Sequence, residues 1–360
     1  MSKRVIVFTQ THNNKKTLER CVNSVLNQTY KDIFYYIADN ASTDGTREMI
    51  QHYAEQDSRV MPVFRNDNLI WQIYSCIPVI QEKFNHDDRF IVLDSDDEYV
   101  LDAFEKLLFF MEESNLDIAT CAYDFIDGVN GKNLNKSNLL SNLVISETDF
   151  EARFADYFKF ARESHGKMFL LSLFENFKWK SFDNSLLYGS TSIISFEALR
   201  NSNKFGVLAE RLYKYYIYQH STERSGSKRL VTPMLYNYYR DWIILKCGHL
   251  SEPNRKFLLG AYFRALKNRT LHLLDSIVEP ASKLYLLGTV FNDTMTMEML
   301  NYGEIDGVVD QDKTEYIDVV LDWLNLQSFD KGTAESTLST QIVSMIKKYV
   351  GEKKASSAAL

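Results

Sequence analysis

The residues best suited to chemistry form one short acidic stretch, Asp94-Ser95-Asp96-Asp97. Three of its four side chains are carboxylates, and they directly follow the apolar run at residues 90–93, which is typical of a buried strand. Carboxylates packed this closely repel one another, and a divalent cation with oxygen ligands relieves that repulsion. An exposed acidic turn that caps the next helix is the alternative, because Asp is favoured at helix N-termini. These four residues alone do not separate the two interpretations.

Polar residues also follow the neighbouring predicted strands. Thr9 and Thr11 come after the first apolar run, and Asp39 ends the second. Because ligands bind at the carboxyl ends of strands in an open α/β sheet, we expect these side chains to meet Asp94 and Asp96 at one edge. A carboxylate there can accept from the imide N–H of a pyrimidine, while the acidic stretch holds a cation on a diphosphate. The pattern therefore suits a nucleoside diphosphate.

The elements that must position these residues follow from periodicity. Short β-rich runs alternate with helical patterns over residues 4–125, which predicts a parallel sheet flanked by helices. The predicted strands are residues 5–8, 34–38, 60–64 (at an edge because of Pro62), 90–93 and 118–123; the predicted helices include 15–28 and 69–84, the latter interrupted near Pro78. Residues 127–148 are predicted to be a surface loop, residues 150–245 have mixed periodicity, and residues 254–350 are mainly helical.

Bulk properties narrow the function. With 360 residues, 45% of them hydrophobic, the chain is expected to form two lobes, and its net charge of -7 disfavours nucleic-acid binding. Four scattered cysteines favour a reduced, cytoplasmic setting. No secretory signal or membrane-spanning run is evident, so we expect a cytoplasmic protein that can contact the inner face of the membrane peripherally. An apolar stripe within residues 342–350 indicates a packing face or a dimer face, and a dimer face would give a homo-oligomer through the C-terminal helices.

Missing motifs disfavour other nucleotide enzymes. Neither a Gly-x-Gly-x-x-Gly after the first strand nor a Gly-Lys-Ser/Thr loop is present, which disfavours dinucleotide cofactors and nucleoside triphosphate hydrolysis. Residues 9–16 contain no Gly, whereas a nucleotidyltransferase normally carries a Gly-rich basic loop there. Nucleotidyl transfer therefore stays only as a second alternative.

Five motifs in unbroken order resemble the signatures of glycosyltransferase family 2, which has the GT-A fold. They are Thr11-His12-Asn13, Leu18-Glu19-Arg20-Cys21, Ser24-Val25-Leu26-Asn27-Gln28-Thr29-Tyr30, the run at residues 38–46, and Leu93-Asp94-Ser95-Asp96-Asp97. The resemblance covers residues 4–125 and extends more weakly to 245, where residues 233–240 are similar to the strand that commonly closes the family's catalytic domain. It implies a catalytic domain at 1–245, with a nucleotide-sugar half at 1–125 and an acceptor half at 126–245. A helical domain at 246–350 and a disordered tail at 351–360 follow.

The resemblance also implies roles for single residues. Thr9, Gln10, Thr11 and Asp39 would cradle the uridine. The Asp-x-Asp motif of Asp94, Ser95 and Asp96 would touch the ribose and coordinate Mn²⁺ or Mg²⁺ on the diphosphate, and Asp97 would share that metal. Asp96 counts among the catalytic residues because its cation neutralises the leaving group. Arg65 would face the diphosphate, or else be a surface charge; Asn40 and Ala41 depart from the Asp and Gly that many relatives carry.

An inverting transfer also needs a general base. The family places it in an acidic pair, to which Ala209 and Glu210 correspond here, so Glu210 is the first candidate and Glu223 and Asp241 rank lower. A solvated position on a helix is an equal alternative for Glu210. The tyrosines at 213, 215, 216 and 218 are expected to pack in a helix, with stacking on a sugar acceptor as the alternative.

The predicted function is a metal-dependent inverting glycosyltransferase. It would move a hexose from a UDP-sugar to a hydroxyl of a glycan, glycolipid or glycoprotein acceptor. A catalytically silent subunit that binds nucleotide sugar or glycan is the first alternative, because Ala209 replaces the first acid of the family's pair.

Overall fold

The chain forms two compact units, Met1–Tyr218 and Gln219–Leu360. The computed structural model describes residues 3–68, 72–134, 141–175, 190–218 and 230–358. The boundary between the units lies after Tyr218, earlier than the domain end expected at residue 245.

The described part of the first unit is a nine-stranded sheet with flanking helices. Its strands are β1 (Val5–Thr11), β2 (Ile33–Asn40), β3 (Val60–Arg65), β4 (Arg89–Val92), β5 (Glu98–Tyr99), β6 (Ile118–Asp127), β7 (Leu143–Ser146), β8 (Lys167–Leu170) and β9 (Lys204–Ile217). Its helices are α1 (Lys15–Leu26), α2 (Thr46–Gln56), α3 (Gln72–Lys83), α4 (Ala103–Ser114), α5 (Phe154–Ala161) and α6 (Ser190–Asn201).

The strand order is β3-β2-β1-β4-β8-β6-β9-β5, and β7 pairs with β9. The first four strands in this order are parallel, as in a Rossmann-like half, which confirms the predicted α/β class. Beyond β4 the sheet is mixed: β8 is antiparallel to both of its neighbours, and β6 and β9 run parallel to each other. The carboxyl ends of β1, β2, β4, β6 and β9 therefore lie at the same edge, and β3 is the edge strand that Pro62 predicts.

Apolar patterning explains these elements. Residues 5–8 of β1 are fully buried and continuously apolar, which is typical of a parallel strand covered on both faces. Leu18, Cys21, Val22 and Val25 form the buried stripe of α1 at helical spacing, and this stripe joins the core.

Three local predictions are wrong. Helix α3 is continuous with Pro78 inside it, although Pro costs a backbone hydrogen bond, and Ile77 and Ile80 beside it are fully buried. The expected loop at 127–148 contains β7. Residues 233–240 form part of helix α7 (Thr232–Cys247) and not a closing strand, because Pro233 suits a first helical turn and Tyr236, Tyr239 and Ile243 are buried at a helical period.

The described part of the second unit is helical. Besides α7 it contains α8 (Glu252–Asp275), α9 (Pro280–Phe291), α10 (Thr294–Asn301), α11 (Asp310–Leu326) and α12 (Ala334–Ala358). Helix α12 continues through most of the tail that composition predicts to be disordered, since Ala, Lys and Glu are good helix formers. Among the described residues, we find no helix with the length and apolarity to cross a membrane.

Candidate nucleotide-sugar site

The structure brings most of the predicted site residues to one edge of the sheet. In the strand register Thr11 lies beside Asp39, and Asn40 lies beside Arg65. Asp94 comes two residues after the end of β4, which pairs with β1. The strand order reverses between β1 and β4, which is where open α/β sheets bind their ligands.

The two threonines of β1 have different roles. Thr9 is fully buried: its hydroxyl donates to the Leu93 carbonyl oxygen at 2.8 Å and accepts from the Tyr35 hydroxyl at 3.1 Å. Its side chain therefore ties β1 to the start of the acidic stretch. The Thr11 hydroxyl is also buried but has no hydrogen-bond partner among the described residues, so it can bond to a ligand. Gln10, half-buried, lies between them.

Asp39 is fully buried at the end of β2. Its carboxylate accepts from the Ser42 backbone N–H at 3.3 Å and from Arg47 Nε at 3.1 Å. The Arg47 guanidinium also lies 5.1 Å from the centroid of the Phe64 ring. Sequence reasoning missed Arg47, because it looks like an ordinary surface charge of α2. The side chain of Arg65 pairs with Asp67 at 3.3 Å, which agrees with the surface-charge interpretation of Arg65.

Two loops at this edge adopt backbone conformations that L-residues seldom take. Asn13 has φ 53° and Ala41 has φ 58°. Asn13 accepts from the Thr43 N–H at 2.8 Å, and its own N–H donates to Ser42 Oγ at 2.9 Å. These bonds join the loop after β1 to the loop after β2. Left-handed backbone costs a non-glycine residue roughly 1–2 kcal/mol, so strain is stored beside the site.

We call Asp94, Ser95, Asp96 and Asp97 the acidic turn. Asp97 is only 1% exposed, and both of its carboxylate oxygens are engaged: the Tyr213 hydroxyl donates to one at 2.7 Å, and the Tyr216 backbone N–H donates to the other at 2.7 Å. Burial, together with Asp94 and Asp96, raises the pKa of Asp97 well above its usual range. Asp97 therefore holds the turn to β9, and this bonding does not support the expectation that it is a metal ligand.

Asp94 and Asp96 are the carboxylates available to a cation. The Asp94 side chain is 39% exposed, and the Asp96 side chain is half-buried in surroundings that raise its pKa. No group of three potential metal ligands is assembled within the described ranges. Mg²⁺ commonly binds one or two protein carboxylates and takes further oxygens from substrate phosphates. The donor set thus fits a cation that is shared with a diphosphate.

Arg20 of α1 supports the acidic turn together with Tyr216 of β9 and Tyr218 just after that strand. The Arg20 guanidinium donates to the Asp96 carbonyl oxygen, lies 3.5 Å from the Tyr216 ring centroid, and donates to the Tyr218 hydroxyl at 3.2 Å. The Tyr216 hydroxyl donates to Glu98 at 2.9 Å. The expectation that these tyrosines pack in a helix is wrong, because they lie on β9 or just after it.

Comparison with known proteins decides the family. The family model described as "Glycosyl transferase family 2" matches residues 6–201, which is more than half of the chain. The chain belongs to glycosyl transferase family 2.

Individual family 2 relatives match parts of this chain. TuaG of Bacillus subtilis (strain 168), a glycosyltransferase named for teichuronic acid biosynthesis, is 35% identical over 124 residues, which are 34% of this chain and 45% of TuaG. The match therefore spans under half the length of TuaG. The uncharacterized glycosyltransferase MJ1057 of Methanocaldococcus jannaschii is 25% identical over 241 residues, 65% of this chain and 77% of that protein.

A solved structure shares the fold. The crystal structure of S. aureus TarS 1-349 in complex with UDP superimposes with a TM-score of 0.51 at 13% identity, over 99% of this chain and 92% of TarS 1-349. The identity is low enough that the likeness concerns the fold alone, which agrees with the predicted GT-A architecture.

Glu210 is the candidate base that lies in the described part of the first unit. Glu210 lies where the pairing of β6 and β9 shifts register, is exposed, and pairs with Lys106 of α4 at 2.6 Å. It precedes Tyr216, whose backbone N–H bonds to Asp97, by six residues, which is roughly 15–20 Å along an extended strand. Asp241 lies in the second unit, exposed and paired with Arg240 at 3.2 Å, and Glu223 lies outside the described residues.

Proposed function

We propose that this protein is a metal-dependent inverting glycosyltransferase that moves a hexose from a UDP-sugar to a hydroxyl of a glycan, glycolipid or glycoprotein. The observation that carries the proposal is the joint placement of Thr11, Asp39, Asp94 and Asp96 at the switch point of the sheet. Family membership supports glycosyl transfer, the UDP in the TarS crystal supports a uridine donor, and the name of TuaG favours a polysaccharide acceptor.

The nucleotide would bind at the ends of β1 and β2. Asp39 has a buried carboxylate that can accept from the uracil imide N–H, with Arg47 holding it in place. The Thr11 hydroxyl and the Asn40 side-chain oxygen are buried without a hydrogen-bond partner in the described part of the chain, so they can bond to the ribose or base. An unpaired buried polar atom costs about 1–3 kcal/mol, and a ligand that satisfies it recovers that cost.

The diphosphate would bind at the acidic turn. Asp94 and Asp96 would hold Mn²⁺ or Mg²⁺, and a cation there supplies positive charge for the leaving diphosphate. Arg20 fixes the backbone of the turn through the Asp96 carbonyl oxygen, and Tyr213 fixes it through Asp97. These two contacts keep Asp94 and Asp96 in position before the substrate arrives.

A second candidate is a subunit that binds a nucleotide sugar without transferring it. The placement of Glu210 favours this alternative, because the described residues leave its carboxylate paired with Lys106 and distant from the acidic turn. Peripheral membrane contact and a homo-oligomer formed through the C-terminal helices stay predictions.

Thermal-shift titrations with UDP-, GDP- and dTDP-sugars, each with and without Mn²⁺, test the proposal. We expect UDP-sugars to raise the apparent stability in a metal-dependent way, since a ligand that binds only the folded state stabilises it. Asp96→Asn should abolish the metal dependence. Asp102→Asn, a matched change of a carboxylate that pairs with Lys106 at the start of α4, should leave the shift unchanged.

Two outcomes would count against the proposal. Absence of a UDP-dependent shift would contradict nucleotide-sugar binding altogether. A normal shift without Mn²⁺-dependent release of UDP from any UDP-sugar would favour the silent binding subunit over the transferase.

A further inference from the structure

We propose that a pair of rings, the exposed Phe125 and the half-buried Tyr215, binds the apolar face of a pyranose ring of the acceptor. This inference rests on the proposed glycosyl transfer and assigns the acceptor side of the same site. It begins with a row of five rings, four on strands of the sheet and one, His165, in the turn before β8. We call these rings the aromatic row: Tyr123, Phe125, His165, Tyr213 and Tyr215.

Strand register places the row on one face of the sheet. Tyr123 pairs with Tyr213 across β6 and β9, and Phe125 pairs with Tyr215. Since side chains alternate between faces along a strand, all four rings point to the same side. Ring centroids are 5.9 Å apart for Tyr123 and Tyr213, and 5.8 Å apart for Phe125 and Tyr215.

His165 connects the row to the acidic turn. Its ring stacks on Tyr213 with centroids 5.2 Å apart and lies 5.1 Å from Tyr215. Its Nδ1 is 3.8 Å from an Asp94 carboxylate oxygen. The Phe125 ring is thus two ring contacts from His165, which itself adjoins the proposed cation ligand Asp94.

The position of the aromatic row in the sheet favours contact with the acceptor and not with the nucleotide. Strands β1, β2 and β3 carry the nucleotide residues on one side of β4, whereas β6 and β9 carry the aromatic row on the other side. The acidic turn follows β4, between the two. A group that lies over Phe125 and Tyr215 would therefore approach the diphosphate from the side opposite the uridine.

Exposure distinguishes the outer end of the row from its inner end. Tyr213 is fully buried and His165 is 6% exposed, whereas Phe125 is 41% exposed at the carboxyl end of β6. The inner rings are accounted for by core packing, but folding gains little from a Phe that stays open to water. A ring that is 41% exposed beside the proposed transferase site suits the C–H face of a pyranose, and such ligand sites are mostly apolar with few polar groups.

Saturation-transfer NMR with two probes, methyl β-D-glucopyranoside and methyl β-D-galactopyranoside, tests the inference in the presence of UDP and Mn²⁺. We expect transfer to be strongest at the ring protons H-1, H-3 and H-5, which share one face of these sugars. Phe125→Ala should lower it by roughly three- to tenfold, and Phe125→Trp should retain it. Phe109→Ala is the matched control, because Phe109 is a 66% exposed phenylalanine on α4 outside the row, and it should change nothing.

The outcomes separate this inference from the proposed function. Two results would overturn the proposed sugar contact at Phe125 and Tyr215 while nucleotide-sugar binding stands. In the first, the wild-type protein binds UDP but neither sugar receives saturation. In the second, the sugars receive as much saturation from Phe125→Ala as from the wild type. If the wild type binds neither UDP nor sugar, both proposals fail. Loss of saturation transfer to the sugars in Phe125→Ala, with unchanged UDP binding, supports the proposed sugar contact.

Discussion

Replacing Tyr213 with Phe tests whether the bond to Asp97 holds the acidic turn. The substitution removes one oxygen and leaves the ring, so the packing of the aromatic row is kept. The Tyr213 hydroxyl donates to a buried carboxylate oxygen at 2.7 Å. Burial, followed by the charges of Asp97 and Asp94, raises the pKa of Tyr213, so the hydroxyl stays protonated and remains a donor at neutral pH.

The magnitude depends on the charge of the acceptor, so the comparison is made at a pH above the raised pKa of Asp97, where its carboxylate is ionised. A hydrogen bond to a charged group contributes about 1.5–3 kcal/mol to stability, whereas a neutral one contributes about 0.5–1.5 kcal/mol. Tyr157→Phe is the matched control: Tyr157 is also fully buried, and its hydroxyl donates to the neutral Phe150 carbonyl oxygen at 2.9 Å. We therefore expect Tyr213→Phe to lower the free energy of unfolding by about 1–2 kcal/mol more than Tyr157→Phe does.

Urea unfolding followed by circular dichroism measures the stability of both variants, and calorimetry with UDP and Mn²⁺ measures the site. Tyr213→Phe should weaken UDP binding because Asp97 lies beside Asp96 in the turn, whereas Tyr157→Phe should not. Equal stability losses in the two variants, together with unchanged UDP affinity in Tyr213→Phe, would refute the role of this bond.

Three further predictions concern other parts of the first unit. Ala41→Gly should stabilise the protein by about 0.5–1 kcal/mol in urea unfolding, because Gly adopts the left-handed backbone at this position without strain. The control Ala54→Gly, within α2, should instead destabilise the protein by about 1 kcal/mol. A loss of stability in both variants would contradict backbone strain at Ala41. Burial lowers the pKa of Lys167 to about 7, against about 10.4 in an unfolded chain, so the unfolded state binds the extra proton between these values. The free energy of unfolding of the wild type, relative to that of Lys167→Met, should therefore rise with pH above about 7, by up to about 1.4 kcal/mol per pH unit. If the free energies of unfolding of the two proteins change with pH in parallel, the lowered pKa of Lys167 is excluded. Glu210→Gln should leave UDP release from a UDP-sugar within about twofold of wild type, because Glu210 is remote from the acidic turn; loss of turnover with retained UDP affinity would restore it as the base.

The sequence predicts the nucleotide half well because its signals are local. Buried parallel strands are continuous apolar runs, α1 has a clear amphipathic period, and Pro62 marks an edge strand. The placement of Asp39 and Asp94 then follows from the rule that strand ends meet at one edge. Both residues are found there.

The acceptor half is harder to predict because long-range pairing decides it. The tyrosines of β9 fit a helix as readily as a strand when read alone, and pairing with β6 and β5 settles the matter. Alternation of Tyr213 with Tyr215 was the available signal for a strand. The roles of Arg20, Arg47 and His165 depend on contacts with residues distant in sequence, which a motif search does not show.

The bonds from β9 to Asp97 also constrain the order of folding. Asp97 and Tyr216 are 119 positions apart in the chain, and Asp97 and Tyr213 are 116 apart. Closing a loop of this length costs conformational entropy, which is offset only when the contacts have formed. Contacts between residues so far apart in sequence therefore form slowly. The acidic turn therefore acquires its final shape only after β9 has been synthesised and has docked, so a fragment that ends at residue 125 would have the nucleotide strands without a settled cation site.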